Sequence, residues 1–286
     1  MTDQLKNGSA FIEAPLTPNV SGDFVSLDRQ ECLDLGKSLH DTYVNNEPYP
    51  HIVIENFLPA DLLRRVVSEF PQREQGRFSD ANSKLKTGYQ MEKIQSHLIN
   101  NLQTALNSSQ FLGFLENMTG IHGLIPDPHF AGGGLHETAR GGHLSIHADF
   151  NMHPKLRLRR RLNLILFLNE GWQDEWGGHL ELWEKDMSKC RHAVAPVMGR
   201  AVVFNTDGDS FHGHPDPTQS PENVYRRSIA LYYYNAVDNI ASEQARTTDF
   251  RVRPGSADQK PPLKTRIREI ARDLVPPLLA RRLNLY

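Results

Sequence analysis

The stretch "GGHLSIHADFN", residues 141–151, predicts a strand of the core and part of its functional site. His147 and Asp149 stand two positions apart, between the apolar Ile146 and the aromatic Phe150. Because side chains alternate faces along a strand, residues two apart project from the same face. An imidazole and a carboxylate placed together are two ligands of a metal site. A third ligand is therefore expected from another strand.

Short apolar runs separated by Gly, Pro, Asn and Asp continue from about residue 123. They include RLNLILFLNE, GHLELWE, HAVAPVMGRAVVFN and RSIALYYYN, which have strand length and are rich in β-branched and aromatic residues. Several strands without intervening helical patterns indicate an antiparallel sandwich or barrel. The predicted fold class is α+β, with a mainly β core at residues 123–240.

Helical patterns dominate residues 26–122, which are expected to support the core. The run PHIVIENFL, from residue 50, predicts a strand inside this region. Pro, Ser and Gly at the expected helix ends set the boundaries. Helices are predicted over Asp28–Tyr43, from Pro59 to Phe70, over Glu92–Leu106, and from Ser108 or Ser109 to Gly120.

The two ends of the chain differ from its middle. Residues 1–25 are polar and proline-containing, which predicts a flexible N-terminal arm. Residues 241–286 form a C-terminal extension whose segment PPLKTRIREIARDLV predicts a basic amphipathic helix. That helix either packs on the domain or contacts a membrane surface or an acidic partner.

The bulk composition limits the class of protein. The chain has 286 residues, a net charge of -2 and two cysteines, so neither a disulfide scaffold nor general nucleic-acid binding is expected. The first residues lack a basic region followed by an apolar run, and no window has the length of a membrane span. These features predict a cytoplasmic protein without a transmembrane segment.

The third ligand is expected in "DGDSFHGHPDP", which offers His212 and His214. Two histidines and one carboxylate form a facial triad that leaves metal positions open and suits non-haem Fe(II). Zinc is the competing metal, although its familiar two-histidine motifs place the pair on a helix. With 13 histidines in the chain, an isolated His-x-Asp is a weak signal, so the surrounding motifs decide its meaning.

Those motifs occur in a recognisable order: GGHLSIHADFN, LNLILFLNEGW with WGGHLELWE, FHGHPDP and RRSIALYYY. In this combination residues 128–235 resemble the Fe(II)- and 2-oxoglutarate-dependent dioxygenases of the prolyl-4-hydroxylase-like branch. The resemblance implies a double-stranded β-helix, a distorted jelly roll with supporting helices. It also implies Fe(II) as cofactor, with 2-oxoglutarate and O2 as co-substrates.

The resemblance carries over to individual residues. His147, Asp149 and His212 match the iron ligands, which are the expected catalytic residues. His212 is preferred to His214 because it follows an aromatic residue and precedes a glycine, as in the family. In addition, the proline after His214 indicates that the strand ends there.

An arginine is expected to bind the far carboxylate of 2-oxoglutarate. On a strand, Arg226 shares a face with Ser228 and with small residues, whereas Arg227 shares the opposite face with bulky apolar residues. Arg226 is therefore the predicted anchor, and this matches the family's Arg-x-Ser arrangement. Ser228 is a possible second donor. Asn163 either contacts the co-substrate or has a structural role.

The expected reaction is hydroxylation of an unactivated C–H bond of a small molecule, amino acid or peptide, with release of succinate and CO2. A halogenase is disfavoured because Asp149 is present. The alternatives are a non-redox metal-binding jelly roll of the cupin kind, which needs no arginine anchor, and a non-catalytic member of the family. The basic run "KLRLRRR", residues 155–161, is either a solvated loop or a site that attracts an anionic substrate.

Overall fold

A computed structural model describes residues 11–73, 77–78, 82–89, 91–237, 245–256 and 258. Within these ranges, helices lie on one side of a large curled sheet. They are α1 (Arg29–Asn45), α2 (Ala60–Ser68), α3 (His97–Ala105) and α4 (Ser109–Thr119).

Capping residues explain where the helices begin and end. The side chain of Asp28 accepts a hydrogen bond from the backbone N–H of Glu31 at the start of α1, and Ser108 does the same for Phe111 in α4. Helix α4 ends at Gly120, whose φ of 71° is left-handed and suits glycine. These ends agree with the sequence prediction.

The helix predicted over Glu92–Leu106 is shorter in the structure. Helix α3 begins only at His97, because the Ser96 side chain caps it by accepting from the Ile99 backbone N–H. Residues Met91–Lys93 form a separate 3-10 turn. The apolar spacing before Ser96 therefore belongs to a turn, not to the first part of a helix.

Strands supply most of the remaining structure. In chain order they are β1 (Phe11–Glu13), β2 (Asn19–Ser21), β3 (Phe24–Ser26), β4 (His51–Glu55), β5 (Arg77–Phe78), β6 (Ser83–Gly88), β7 (Ile125–Pro126), β8 (Gly134–Ala148), β9 (Arg159–Phe167), β10 (Leu180–Trp183), β11 (Cys190–Val194), β12 (Ala201–Asn205), β13 (His212–His214), β14 (Arg226–Asn235) and β15 (Asp249–Phe250).

The main sheet runs in the order β1-β4-β12-β9-β14-β8-β13-β10-β11. Strand β8 is long enough to pair with β14 on one side of the sheet order and with β13 on the other. Its first residues pair with β14, whereas its last residues pair with β13 and β15. The sheet curls at β8, and the predicted double-stranded β-helix is confirmed.

Strand alternation divides the core into two layers. On β12, Val203 faces the helices, while Val202 and Phe204 face the interior of the roll, where they pack with β10 and β11. On β9, Leu164 belongs to the helix side and Asn163 to the interior. The interior of the roll is thus part apolar core and part polar cavity.

The N-terminal region contains more structure than an arm. From residue 11 onward, β1 pairs in parallel with β4, and the side chains of Leu16 and Val25 are buried in the core. Strands β4 and β6 also join the main sheet, so the supporting region is not only helical. Residues 1–10 lie outside the described residues.

The C-terminal extension is described only at residues 245–256 and 258, so the predicted amphipathic helix lies outside the described residues. The described part returns to the sheet, because β15 pairs with the end of β8. Among the described helices, none has both the length and the apolar character needed to cross a bilayer.

The core between the sheet and the helices, which contains Leu164, predicts how a truncation there changes stability. Leu164 is 0% exposed, so Leu164→Ala leaves a cavity and is expected to lower the free energy of unfolding by about 2–5 kcal/mol. Urea denaturation measures this loss. Leu156→Ala is the matched control, since Leu156 is 39% exposed and its truncation changes little. Equal losses in the two variants would contradict the assigned core.

Candidate active site

Two neighbouring strands bring the three predicted metal ligands together. His147 lies near the end of β8, and Asp149 directly follows its last residue. His212 opens β13 directly opposite His147 in the register. Their imidazole nitrogens and carboxylate oxygen, one atom per residue, all lie within 4.8 Å of one another. This His-Asp-His cluster could hold a metal ion, and all three side chains are at most 10% exposed.

Backbone carbonyls orient both imidazoles. His147 Nδ1 lies 2.8 Å from the Ser145 carbonyl oxygen, and His212 Nδ1 lies 2.9 Å from that of Ser210. A proton on each Nδ1 satisfies these carbonyls and leaves a lone pair on each Nε2. The Nε2 atoms lie 3.6 and 3.4 Å from oxygens of Asp149, so the lone pairs converge where a cation would bind. Burial lowers the pKa of His147, which favours the neutral, ligating form.

Arg160 compensates the charge of the buried carboxylate. Burial alone would raise the pKa of Asp149, but the Arg160 guanidinium, 3.0 Å from Asp149 Oδ2, helps to hold that pKa well below its ordinary value. Asn163 completes the group: its Nδ2 donates to Asp149 Oδ2 at 2.8 Å, and its Oδ1 accepts from Arg160 Nη2 at 2.6 Å. The Asn163 amide thus orients the carboxylate from within the cavity.

Sequence reasoning missed Arg160, and a β-bulge explains why. Regular alternation places Arg161, not Arg160, on the same face as Asn163. In the structure Tyr233 pairs with Leu162 and Tyr234 with Arg160, so Arg161 is an extra residue of β9. Arg160 is 1% exposed as a result, with its guanidinium carbon 3.5 Å from the centre of the Tyr232 ring.

The cluster lies in a cavity of about 660 Å³ that continues to the head of β14. Arg226 and Ser228 line it from one face of β14. His136 of β8, which is the register partner of Ser228, also lines it. Arg227 points to the other side and pairs with the buried Glu137 at 3.0 Å. The structure therefore separates the adjacent arginines as strand alternation predicts.

Arg226 is a buried cation for which the described residues provide no counter-charge. Its residue is 5% exposed, and no carboxylate of the described residues lies within ion-pair distance of it. Burial lowers the pKa of Arg226 to about 9. Its Nε donates to the Gly178 carbonyl at 2.6 Å, and a Cβ at Gly178, where φ is +71°, would lie 3.1 Å from Arg226 Cδ. The guanidinium is held in place but not neutralised.

Two buried histidines extend the polar end of this cavity. His214 is 3% exposed and its two ring nitrogens have no hydrogen-bond partner, while His136 has one partnered and one unpartnered nitrogen. Burial lowers both pKa values, so both rings are neutral and can donate. His214 lies outside the His-Asp-His cluster. Buried polar atoms that lack partners indicate a polar ligand at this end.

Comparisons with known proteins agree with this geometry. Residues 133–234 match the model of the 2OG-Fe(II) oxygenase superfamily. A prolyl hydroxylase from Trichoplax adhaerens, solved with a hypoxia inducible factor peptide fragment, is 17% identical; the match covers 75% of this chain and 96% of that one, with a TM-score of 0.53. A prolyl 4-hydroxylase structure from Phytophthora capsici is 16% identical over 84% and 72% of the two chains, with a TM-score of 0.51.

A third solved structure, a prolyl-4-hydroxylase from Pseudomonas putida, is 22% identical over 71% of this chain and 100% of that one, with a TM-score of 0.48. No curated protein matches the chain. The match at residues 133–234 to the 2OG-Fe(II) oxygenase superfamily agrees with the resemblance seen in the sequence. This match and the His-Asp-His cluster support the predicted 2-oxoglutarate-dependent oxygenase with Fe(II), 2-oxoglutarate and O2 as its cofactors.

The adjacent arginines predict opposite stability effects. Arg226→Met removes an unpaired buried charge, so the ligand-free protein is expected to keep or raise its thermal midpoint. Arg227→Met removes one of the two arginine partners of Glu137, which is only 1% exposed, and should cost about 2 kcal/mol. Thermal and urea denaturation measure both effects. Equal destabilisation of the two variants would show that Arg226 has a structural partner.

Proposed function

We propose that His147, Asp149 and His212 bind Fe(II), that Arg226 binds the far carboxylate of 2-oxoglutarate, and that the enzyme hydroxylates an unactivated C–H bond. In the overall reaction the substrate C–H becomes C–OH, while 2-oxoglutarate and O2 yield succinate and CO2. One oxygen atom enters the substrate and the other enters succinate.

The donor set fits Fe(II). Two neutral imidazoles and one carboxylate form the facial triad and leave three adjacent coordination positions open. The carbonyls of Ser145 and Ser210 fix the ring orientations before any metal binds. When bound, the iron supplies the oxidative chemistry with O2, and the protein contributes binding, orientation and exclusion of side reactions.

The buried, unpaired Arg226 in the same cavity as the His-Asp-His cluster carries the proposal. A cation kept out of water without a counter-charge is costly unless an anion binds there. The carboxylate of 2-oxoglutarate provides that anion, and the unpartnered nitrogens of His214 and His136 can donate to it. A non-redox metal site of the cupin kind has no use for this end of the cavity.

Other residues of the chain prepare the cavity for this reaction. Arg160 and Asn163 hold the Asp149 carboxylate in one orientation, in which Oδ1 lies nearest to His147 Nε2 and Oδ2 lies nearest to His212 Nε2. Phe250 of β15 lies against the His147 ring at 5.3 Å and shields it from solvent. Ser228 lines the cavity beside Arg226 and is proposed as a further donor to the co-substrate.

The size of the active-site cavity bears on the substrate class. A cavity of about 660 Å³ has room for 2-oxoglutarate and part of a second molecule. The Trichoplax adhaerens enzyme was solved with a peptide. We propose that the substrate of this enzyme is a small molecule, an amino acid or a peptide.

The metal assignment is tested with alanine variants. Asp149→Ala and His212→Ala should abolish both tight Fe(II) binding and succinate formation, because each removes one of three ligands. His214→Ala should retain Fe(II), since His214 lies outside the cluster. Metal affinity measured by anaerobic titration separates these outcomes. Loss of iron in His214→Ala with retention in His212→Ala would reverse the assignment of the distal ligand.

The co-substrate assignment is tested on the two arginines of β14. Loss of a buried charge-assisted contact should cost about 2–5 kcal/mol, or tens-fold to thousands-fold in affinity. Arg226→Ala should therefore raise KM for 2-oxoglutarate strongly, whereas Arg227→Ala should leave it nearly unchanged. Succinate formation on folded, iron-loaded protein is the measurement. The opposite ranking of the two variants would refute the anchor.

A further inference from the structure

A second cavity, of about 210 Å³, lies beside the active-site cavity and is strongly basic. Four arginines line it, Arg159, Arg160, Arg161 and Arg246, against a single carboxylate, that of Asp207. We call it the arginine pocket. Arg160 lines both cavities, so the arginine pocket adjoins the carboxylate of the metal centre.

Part of the positive charge in the arginine pocket is neutralised, because Arg160 pairs with Asp149 at 3.0 Å. In the described part of the chain, neither Arg161 nor Arg246 has a carboxylate within ion-pair distance, although arginines elsewhere, such as Arg64 and Arg200, are paired. The Nη1 atom of Arg160 is buried and has no hydrogen-bond partner. A buried guanidinium nitrogen without a partner indicates an acceptor that binds from outside the protein.

Local contacts hold Arg246 at the pocket. Its backbone N–H donates to Asn151 Oδ1 at 2.6 Å, and its Nη2 lies 3.3 Å from the Asp149 carbonyl oxygen. Gly208 leaves space for the guanidinium, because a Cβ there would overlap Arg246 Nη1. The pocket is therefore a formed site and not a chance grouping of surface side chains.

The active-site cavity is also basic. Among the described residues that line it, Asp149 is the only carboxylate, whereas Lys86, Lys155, Arg160 and Arg226 contribute positive charge. Fe(II) and the 2-oxoglutarate dianion neutralise each other, so the loaded cavity keeps an excess of positive charge. The whole chain has a net charge of -2, so this excess is local. Such a local field attracts and orients an anion.

We propose that the arginine pocket binds a phosphate group of the primary substrate. The inference rests on the proposed oxygenase function and adds the substrate class to it. Guanidinium groups bind phosphate through paired, charge-assisted hydrogen bonds. Arg161, Arg246 and the unpartnered Nη1 of Arg160 face a single carboxylate, that of Asp207, so the pocket favours a dianionic ligand over a singly charged one. With its phosphate in the arginine pocket, the organic part of the substrate extends past Arg160 towards the metal centre.

Inorganic phosphate is the probe for this proposal. Isothermal titration calorimetry is performed without O2 on enzyme loaded with Fe(II) and saturated with 2-oxoglutarate, which occupies Arg226. Wild-type enzyme should bind phosphate, and Arg161→Gln and Arg246→Gln should each weaken binding about tenfold. Arg64→Gln is the matched control, because it removes the same charge from an exposed ion pair with Glu170.

Gly208→Ala tests the pocket without changing its charge. The added methyl group displaces the Arg246 guanidinium, so phosphate affinity should fall as it does in Arg246→Gln. Circular dichroism and the 2-oxoglutarate affinity of each variant show that the fold and the co-substrate site are intact. Because Arg161 and Arg246 are at least partly exposed, their replacement leaves the core unchanged.

Each result decides the proposal. Absence of phosphate binding to wild-type enzyme, equal weakening in Arg64→Gln, or unchanged affinity in both glutamine variants would overturn it. Acetate that binds as tightly as phosphate would overturn the assignment to phosphate. If phosphate fails to bind but the wild-type enzyme binds 2-oxoglutarate, only the phosphate proposal is refuted. If the wild-type enzyme does not bind 2-oxoglutarate, the proposed oxygenase function is refuted.

Discussion

The ion pair between Asp149 and Arg160 is the interaction on which the site depends. A carboxylate that is 10% exposed cannot remain charged without a nearby cation, and only the charged form is a strong metal ligand. Arg160 supplies the cation, and the rings of Phe150 and Tyr232 cover it, with centroids 4.6 and 3.5 Å from the guanidinium carbon. The strands around the cavity thus hold one charged group in a fixed position.

Strand β8 links this charge to the rest of the site. Its first residues place His136 opposite Ser228, and its last residues place His147 opposite His212. The proposed co-substrate end and the metal end of the cavity therefore share one strand. A shift of β8 by one residue would move both ends to the wrong face together.

The sequence predicted those features that depend on local rules. Ser108 and Gly120 bound helix α4 as their capping preferences require, and alternation separated Arg226 from Arg227. The bulge at Arg161 could not be predicted, because it depends on how β9 pairs with a distant strand, and it conceals the role of Arg160. The unpartnered nitrogens of His214 likewise follow from tertiary packing, which periodicity does not contain.

The segment that returns to β8 after β14 has an evolutionary consequence. From beyond the last core strand, Arg246 reaches the arginine pocket and Phe250 reaches the active-site cavity, whereas every proposed metal ligand precedes that strand in the chain. Under the proposed function, mutations in residues 245–250 change the surface that meets the substrate without replacing a proposed metal ligand. In the proposed enzyme, substrate choice and oxidation chemistry therefore depend on separate parts of the chain, so the first can change by mutation while the second is kept.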